Sequence, residues 1–292
     1  MKYLVIKGWL GFGDRLETLK YGIKYALQHN LKVYVDWKDS IWSHGNEDFY
    51  SYFNLINIPQ IASLDELPEN ATYYPEYWSG RIKESLTHQH CIDKVKLKID
   101  ISEELKTKTF EQDVVVLSNI GFRVLYYDNN FFANVFRVKD ERILNKLRNL
   151  LSNSKVTQSI GVHLRGTDRY FTKEQKLKAV QWNVVSAVSG GALNGLPMVV
   201  VSDDRDCFEL WKRYFPQSIL ASDISLDLDS SKGTHNVSKE NLKVSKDDLN
   251  VASLADFFTL ALSDRVYSTH HDSRFAREAT RIHPFVRTIL GI

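Results

Sequence analysis

The stretch SIGVHLRGTDRY, residues 159–170, decides how the chain is read. Residues 159–164 have the pattern of a buried strand, and the strand runs straight into Arg165, Gly166, Thr167, Asp168 and Arg169. Open α/β sheets bind ligands beyond the C-terminal ends of their strands, in a crevice lined by loop backbone and helix N-termini. Arg165 is the leading candidate there, because a guanidinium is always charged and its planar fork of donors suits a pair of phosphate oxygens. A plainer reading of the same residues is a loop ion pair between Arg165 and Asp168, with His163 a satisfied, half-buried imidazole.

Downstream, the alternation is regular. A strand is expected over 156–164, a helix over about 174–188, a strand over 198–202, a helix over about 204–214 and a strand over 218–221. Strands alternating with helices imply a parallel sheet with right-handed crossovers. The strand at 199–202 ends in Asp203 and Asp204; one carboxylate could accept hydrogen bonds from a nucleoside or sugar, or cap the helix that carries Phe208 and Trp211. Residues 222–248 are rich in Ser, Asp and Lys and read as a surface loop or lid; Asp227 and Asp229 within it match a D-x-D metal motif too short to carry weight. A helix over 253–263 places Asp256 among apolar residues, where a carboxylate needs a partner. After it, a strand and a hydroxyl-rich turn lead into a helix over 274–281. Ser268, Thr269 and Ser273 with the exposed N–H groups of that helix would make an anion site, or simply a helix cap.

Upstream, a strand over 2–7 ends in Gly8, Gly11 and Gly13. Asp14 has the look of an N-cap with Glu17 completing a capping box, and Leu16, Leu19, Ile23 and Leu27 form one helical face. A strand over 31–35 comes next, ending at Asp36. A dinucleotide site would also show strand, glycine loop, helix, strand and terminal acid, but G-x-x-G-x-G reverses the spacing that sets the second glycine under a pyrophosphate. Between 41 and 112 the many aromatics, Trp42, Tyr52, Phe53 and Trp78 among them, read as the core of a loop-rich domain, with a sugar-stacking platform as the alternative. A strand over 114–118 and a helix whose apolar face carries Ile143, Leu144 and Leu147 close the first half. The polar residues 152–154 set the expected boundary, giving domains 1–154 and 155–292.

Four ordered segments resemble the superfamily of α1,2-, α1,6- and protein O-fucosyltransferases, and within it the nodulation-protein-Z-like enzymes. They are GFGD with its helix and KVYVDW (11–37), the order His163, Arg165, Asp168, the strand end Ser202-Asp203-Asp204, and Asp256 upstream of residues 268–274. Many of those relatives carry two adjacent arginines after the histidine; here the second position is Gly166. The resemblance implies an α/β fold of two Rossmann-like domains facing a cleft, the GT-B-like glycosyltransferase architecture. It also implies an inverting, metal-independent transfer of fucose from GDP-fucose to a glycan or glycolipid acceptor, with no cofactor besides that donor. On this reading Arg165 holds the β-phosphate, Ser268, Thr269 and Ser273 surround the pyrophosphate, and His163, Asp256 and, less directly, Asp203 orient the nucleotide. Gly11 and Gly13 border the acceptor side in the N-terminal half. Asp14, Asp168 and Glu174 are the candidate general bases. Another nucleotide-sugar donor, an NAD(P)-binding oxidoreductase and a non-catalytic sugar-nucleotide binder stand as alternatives.

The totals fit a globular protein. The chain has 292 residues, 43% of them hydrophobic, and a formal net charge of +2, too balanced for a general nucleic-acid binder. Two cysteines, far apart and outside any C-x-x-C, signal neither a zinc site nor a disulfide framework. The opening MKYLVIKG goes directly into a strand, and no run of roughly 18 apolar residues occurs. A cytoplasmic protein, at most peripheral at the inner face of a membrane and serving polysaccharide biosynthesis, is the expectation.

Overall fold

The computed structural model describes residues 2–120, 129–153, 156–167, 170, 172–189, 195–222, 244–270 and 272–292. The chain divides into two units, Met1–Lys139 and Asp140–Ile292.

The first unit runs β1 (Tyr3–Lys7), α1 (Phe12–His29), β2 (Lys32–Asp36), α2 (Phe49–Tyr52), β3 (Phe53–Leu55), β4 (Tyr73–Tyr74), α3 (His88–Leu97), β5 (Val114–Ser118), α4 (Phe132–Val135) and β6 (Phe136–Val138). Its main sheet has the order β2-β1-β5-β4 with every pair parallel, while β3 and β6 form a separate antiparallel ribbon. Every residue of β1 and β5 is buried, as expected of strands covered on both faces. The aromatics of the loop-rich segment are core: Trp42, Tyr52, Phe53 and Trp78 are all buried, and Phe53 packs on Phe136 with ring centroids 4.9 Å apart. A sugar platform built from those rings is thereby overturned.

Helix α1 departs from its sequence reading at both ends. Its N-cap is Gly11, which offers no side-chain cap, so Asp14 lies inside the first turn and the Asp14–Glu17 capping box does not form. Glu17 faces inward and is buried. At the far end Leu27 is 41% exposed and Ala26 takes the buried position, three residues on from buried Ile23 as the helical period allows.

The second unit runs α5 (Glu141–Asn153), β7 (Ile160–Leu164), α6 (Lys173–Ser189), β8 (Met198–Ser202), α7 (Arg205–Lys212), β9 (Ile219–Leu220), α8 (Lys246–Leu262), β10 (Arg265–Ser268), α9 (Arg274–Ile282) and α10 (Val286–Leu290). Its sheet has the order β10-β7-β8-β9, again all parallel. The fold class is therefore the expected one, two parallel α/β units each with its own core. Helix α5 packs against α8, so it belongs to the second unit and not, as the polar closure at 152–154 suggests, to the first. Helix α8 starts at Lys246 under a Ser245 cap whose hydroxyl accepts from the Asp248 amide at 3.0 Å; the end of the polar stretch is thus its first turn. Nearly the whole of α8 is buried, including Lys246 and Asp256, which explains why its apolar pattern lacks a clear face. No described helix is long and apolar enough to cross a membrane.

Candidate donor site

Parallel pairing sets the second unit's strand ends side by side. Ser268 of β10 and Val201 of β8 both stand in register with His163 of β7, and Leu164 stands opposite Ser202. The loops after these strands therefore emerge at one end of the sheet, where open α/β folds bind ligands.

His163 is buried, with Nδ1 3.1 Å from Ser268 Oγ and 3.3 Å from Ser273 Oγ and its ring against Phe275. Burial, reinforced by the nearby charges of Arg165 and His270, pushes its pKa down to about 3. The imidazole is neutral at physiological pH and ties the turn after β10 to the strand at the centre of the sheet. Ser273 caps α9, accepting from the Ala276 amide at 3.2 Å. The helix-cap reading thus holds for Ser273, whose hydroxyl also meets His163.

The loop after β7 is held by its backbone. The Arg165 amide donates to Thr269 Oγ1 at 2.9 Å, and Thr269 Oγ1 donates to the Arg165 carbonyl at 3.2 Å. The Thr269 amide bonds to the His163 carbonyl at 3.0 Å, and the Tyr170 hydroxyl donates to the Thr269 carbonyl at 2.8 Å. From the other flank, Asp203 Oδ1 accepts from the Gly166 amide and Oδ2 from the Thr167 hydroxyl, each at 2.8 Å. Arg165 itself is half-buried. Gly166 has no room for a side chain: a Cβ there would lie 2.6 Å from Asp204 Cβ and 2.7 Å from Cys207 Sγ. The missing second arginine is thus a packing requirement of this loop.

Asp204 is the N-cap of α7, accepting from the Cys207 amide at 2.9 Å and pairing with Lys176 at 2.5 Å. Asp256 finds its partner in Ser222, whose hydroxyl donates to Oδ2 at 2.6 Å and accepts from the Ser202 amide at 2.9 Å. Thr167, Ser222 and Lys176 escape the sequence reading. Ser222 sits at the edge of a polar stretch with no period, and nothing local marks it as the link between β8 and α8. Glu174 stands on the exposed face of α6 in an ion pair with Lys178 at 2.7 Å. Asp168, like Asp227 and Asp229, lies outside the described residues.

In the first unit the end of β1 is built on buried charge. Lys7 Nζ donates to Asp36 Oδ2 at 2.6 Å and to the Glu84 carbonyl at 2.8 Å, above the Trp78 ring. Burial lowers the Lys7 pKa, and Asp36 opposes that shift. The acid that a dinucleotide site would offer to a ribose is therefore committed to Lys7. Arg15, fully buried, donates to Asp39 at 2.8 Å and to the Leu10 carbonyl at 3.0 Å, and its guanidinium lies over Trp37 and Trp42. Burial raises the Asp39 pKa, with Arg15 acting against it. Gly8 is demanded by this cluster, since a Cβ would fall 2.1 Å from Arg15 Nη1 and 2.4 Å from Trp37 Cδ1. Gly11 is not: its nearest neighbour would be Asp14 Oδ2 at 3.8 Å. Gly13 is buried within α1.

No protein-family model matches the chain, and no curated protein matches it in sequence. Solved structures do match in fold. The fucosyltransferase NodZ from Bradyrhizobium is 16% identical over 99% of this chain and 94% of its own, with a TM-score of 0.69, and the NodZ α-1,6-fucosyltransferase soaked with GDP-fucose aligns with a TM-score of 0.67. A mutant of Arabidopsis thaliana FUT1 in complex with GDP is 15% identical over 97% of this chain and 69% of its own, TM-score 0.53. POFUT1 in complex with GDP is 12% identical over 99% and 96%, TM-score 0.52. The chain shares the fold of these solved fucosyltransferase structures over nearly its whole length.

Proposed function

We propose that the protein is a glycosyltransferase that takes GDP-fucose as donor and transfers fucose, with inversion and without a metal, to a hydroxyl of a glycan or glycolipid. The observation that carries this reading is the gathering of Arg165, Ser268, Thr269 and Ser273 at one end of the β10-β7-β8-β9 sheet, in a fold shared with fucosyltransferases that bind GDP. Arg165 meets the β-phosphate. The hydroxyls of Ser268 and Ser273 and the start of α9 lie about the pyrophosphate, and Asp256, steadied by Ser222, orients the nucleoside. His163, neutral, holds the hydroxyl cluster in place.

In the reaction the acceptor oxygen attacks C1 of fucose from the face opposite the diphosphate. The new C1–O bond forms as the C1–O bond to the β-phosphate breaks, and GDP leaves with the bonding pair. A cation fixed beside that leaving oxygen stabilises the charge as it develops, an effect worth on the order of 100-fold in rate or more. The acceptor proton passes to a carboxylate, for which Asp14, Asp168 and Glu174 are the candidates; Glu174 is exposed and paired with Lys178, and geometry favours it less than the partly buried Asp14. In the first unit, Gly11 leaves backbone open to close approach where packing does not require a glycine. A cytoplasmic enzyme of polysaccharide biosynthesis, working at the inner face of a membrane when its acceptor is a glycolipid, completes the proposal.

The test is to incubate the protein with GDP-fucose and a panel of glycan and glycolipid acceptors, with and without a chelator, following GDP release and the configuration at C1 of the product by NMR. The product is expected to carry the configuration opposite to the donor's, at a rate the chelator does not change. Retained configuration or loss of turnover with chelator would overturn the corresponding part of the proposal. No turnover of GDP-fucose with any acceptor offered would remove the donor assignment.

A further inference from the structure

Arg165 is the residue expected to touch the donor, and the loop that carries it is held by two residues on other strand ends, one on each side. On the β10 side, Thr269 both donates to and accepts from the Arg165 backbone through one hydroxyl, while its own amide continues the β7–β10 ladder at the His163 carbonyl. On the β8 side, Asp203 spends one carboxylate oxygen on the Gly166 amide and the other on the Thr167 hydroxyl. Thr269 is 5% exposed. The same loop is closed from beneath, because Asp204 and Cys207 fill the space a side chain at 166 would need.

We infer that Asp203 and Thr269 are positioning residues for Arg165, a two-sided clamp that presets the arginine against the donor diphosphate, requires glycine at 166, and rests on the donor reading. Asp203 and Thr269 thereby take a role different from direct contact with the nucleotide, because their side-chain oxygens face the loop backbone and Thr167. Carboxylate acceptors make strong bonds to such N–H and O–H donors, and a group that must be held within about half an ångström to act needs that kind of support. At position 166 an arginine would not add a second cation to the site but would break the clamp, and alanine would do so with a single methyl group.

A double-mutant cycle on GDP affinity tests the clamp. Asp203→Ala is expected to weaken GDP binding roughly 10-fold in the unaltered background and, with GDP titrated by calorimetry to concentrations high enough to saturate the weakened site, to change it by less than about 2-fold when Arg165 is already alanine. Thr269→Val should behave in the same way, and Thr269→Ser, which keeps the hydroxyl, should restore most of the loss. An equal loss in both backgrounds would overturn the inference, since Asp203 would then act on the nucleotide or on the fold independently of Arg165. No loss in the unaltered background would overturn it too. If Asp203→Ala does not fold, Thr167→Val removes one of the two Asp203 contacts and is read by the same criterion. Failure of the unaltered protein to bind GDP is a separate result: it removes the donor reading, and the clamp with it.

Discussion

The two units begin alike and use charge in opposite ways. In each, a buried parallel strand is followed by a glycine and an arginine, Gly8 and Arg15 after β1 and Arg165 and Gly166 after β7. At the end of β1 the cations are inside: Lys7 is 1% exposed and Arg15 0%, and each pairs with a carboxylate among tryptophans. At the end of β7 the cation is half-buried, and it is the loop backbone that the neighbouring strands hold. Buried ion pairs fix a scaffold because breaking one leaves an uncompensated charge. A half-buried cation on a rigid loop keeps a reachable charge whose position is already settled. The glycines divide in a related way, with Gly8 and Gly166 barred from bearing a side chain by packing and Gly11 left with room for one.

The sharpest way to break this comparison is at Arg15. Arg15→Ala leaves Asp39 buried without its cation and should cost about 3–5 kcal/mol of stability, read by urea unfolding, if the pair is scaffold. A variant that unfolds normally but loses substrate binding would mean that the buried cation serves a ligand after all. The glycines come next. Gly8→Ala should destabilise by about 1–3 kcal/mol through collision with Arg15 and Trp37, whereas Gly11→Ala, at an N-cap with open space around it, should cost less than about 1 kcal/mol and lower transfer. Equal effects at both positions would erase the distinction between a packing glycine and an approach glycine.

His163 gives a test by pH. Its folded pKa of about 3 lies below the ordinary histidine value of 6.5, so between those values the unfolded chain binds a proton that the folded chain does not. Stability from this group is complete above pH 6.5 and falls as the pH drops towards 3, by at most about 1.4 kcal/mol per pH unit. His163→Gln should flatten that part of the unfolding profile; an unchanged slope would show that the imidazole takes up its proton in the folded state. The smallest effect is expected at Glu174. Its exposed pair with Lys178 supports little, and Glu174→Gln should keep kcat within about 3-fold, whereas a loss of about 100-fold or more would make it the base.

Regular elements are legible in the sequence where period and burial agree. The strand expected at 198–202 is β8, and the strand before Arg165 and the helix after Ser273 are found where the pattern puts them, apart from a few residues at the ends. The short strands β3, β4 and β6 are not legible, since two or three residues carry no period. Helix α8 begins at Lys246, well before the 253 its apolar pattern suggests, because its first turn, with Asp247 and Asp248, continues a polar stretch and is recognisable only by the Ser245 cap. The candidate donor residues are legible as strand-end residue types, but their division of labour is not. That Asp203 grips a loop, that Ser222 links Asp256 to β8, and that Lys7 and Arg15 are interior all depend on partners 20 to 37 residues away in sequence.

The most direct measurement is thermal unfolding with GDP, UDP, CMP and NAD side by side, on the unaltered protein and on Arg165→Ala. A ligand at about 100 times its dissociation constant adds roughly 2.7 kcal/mol of stability, enough to see in a melting curve. GDP alone is expected to raise the melting temperature, and Arg165→Ala to abolish the shift without changing the melting temperature of the free protein. Stabilisation by UDP, CMP or NAD in place of GDP, or a GDP shift that survives in Arg165→Ala, would contradict a donor site built around Arg165.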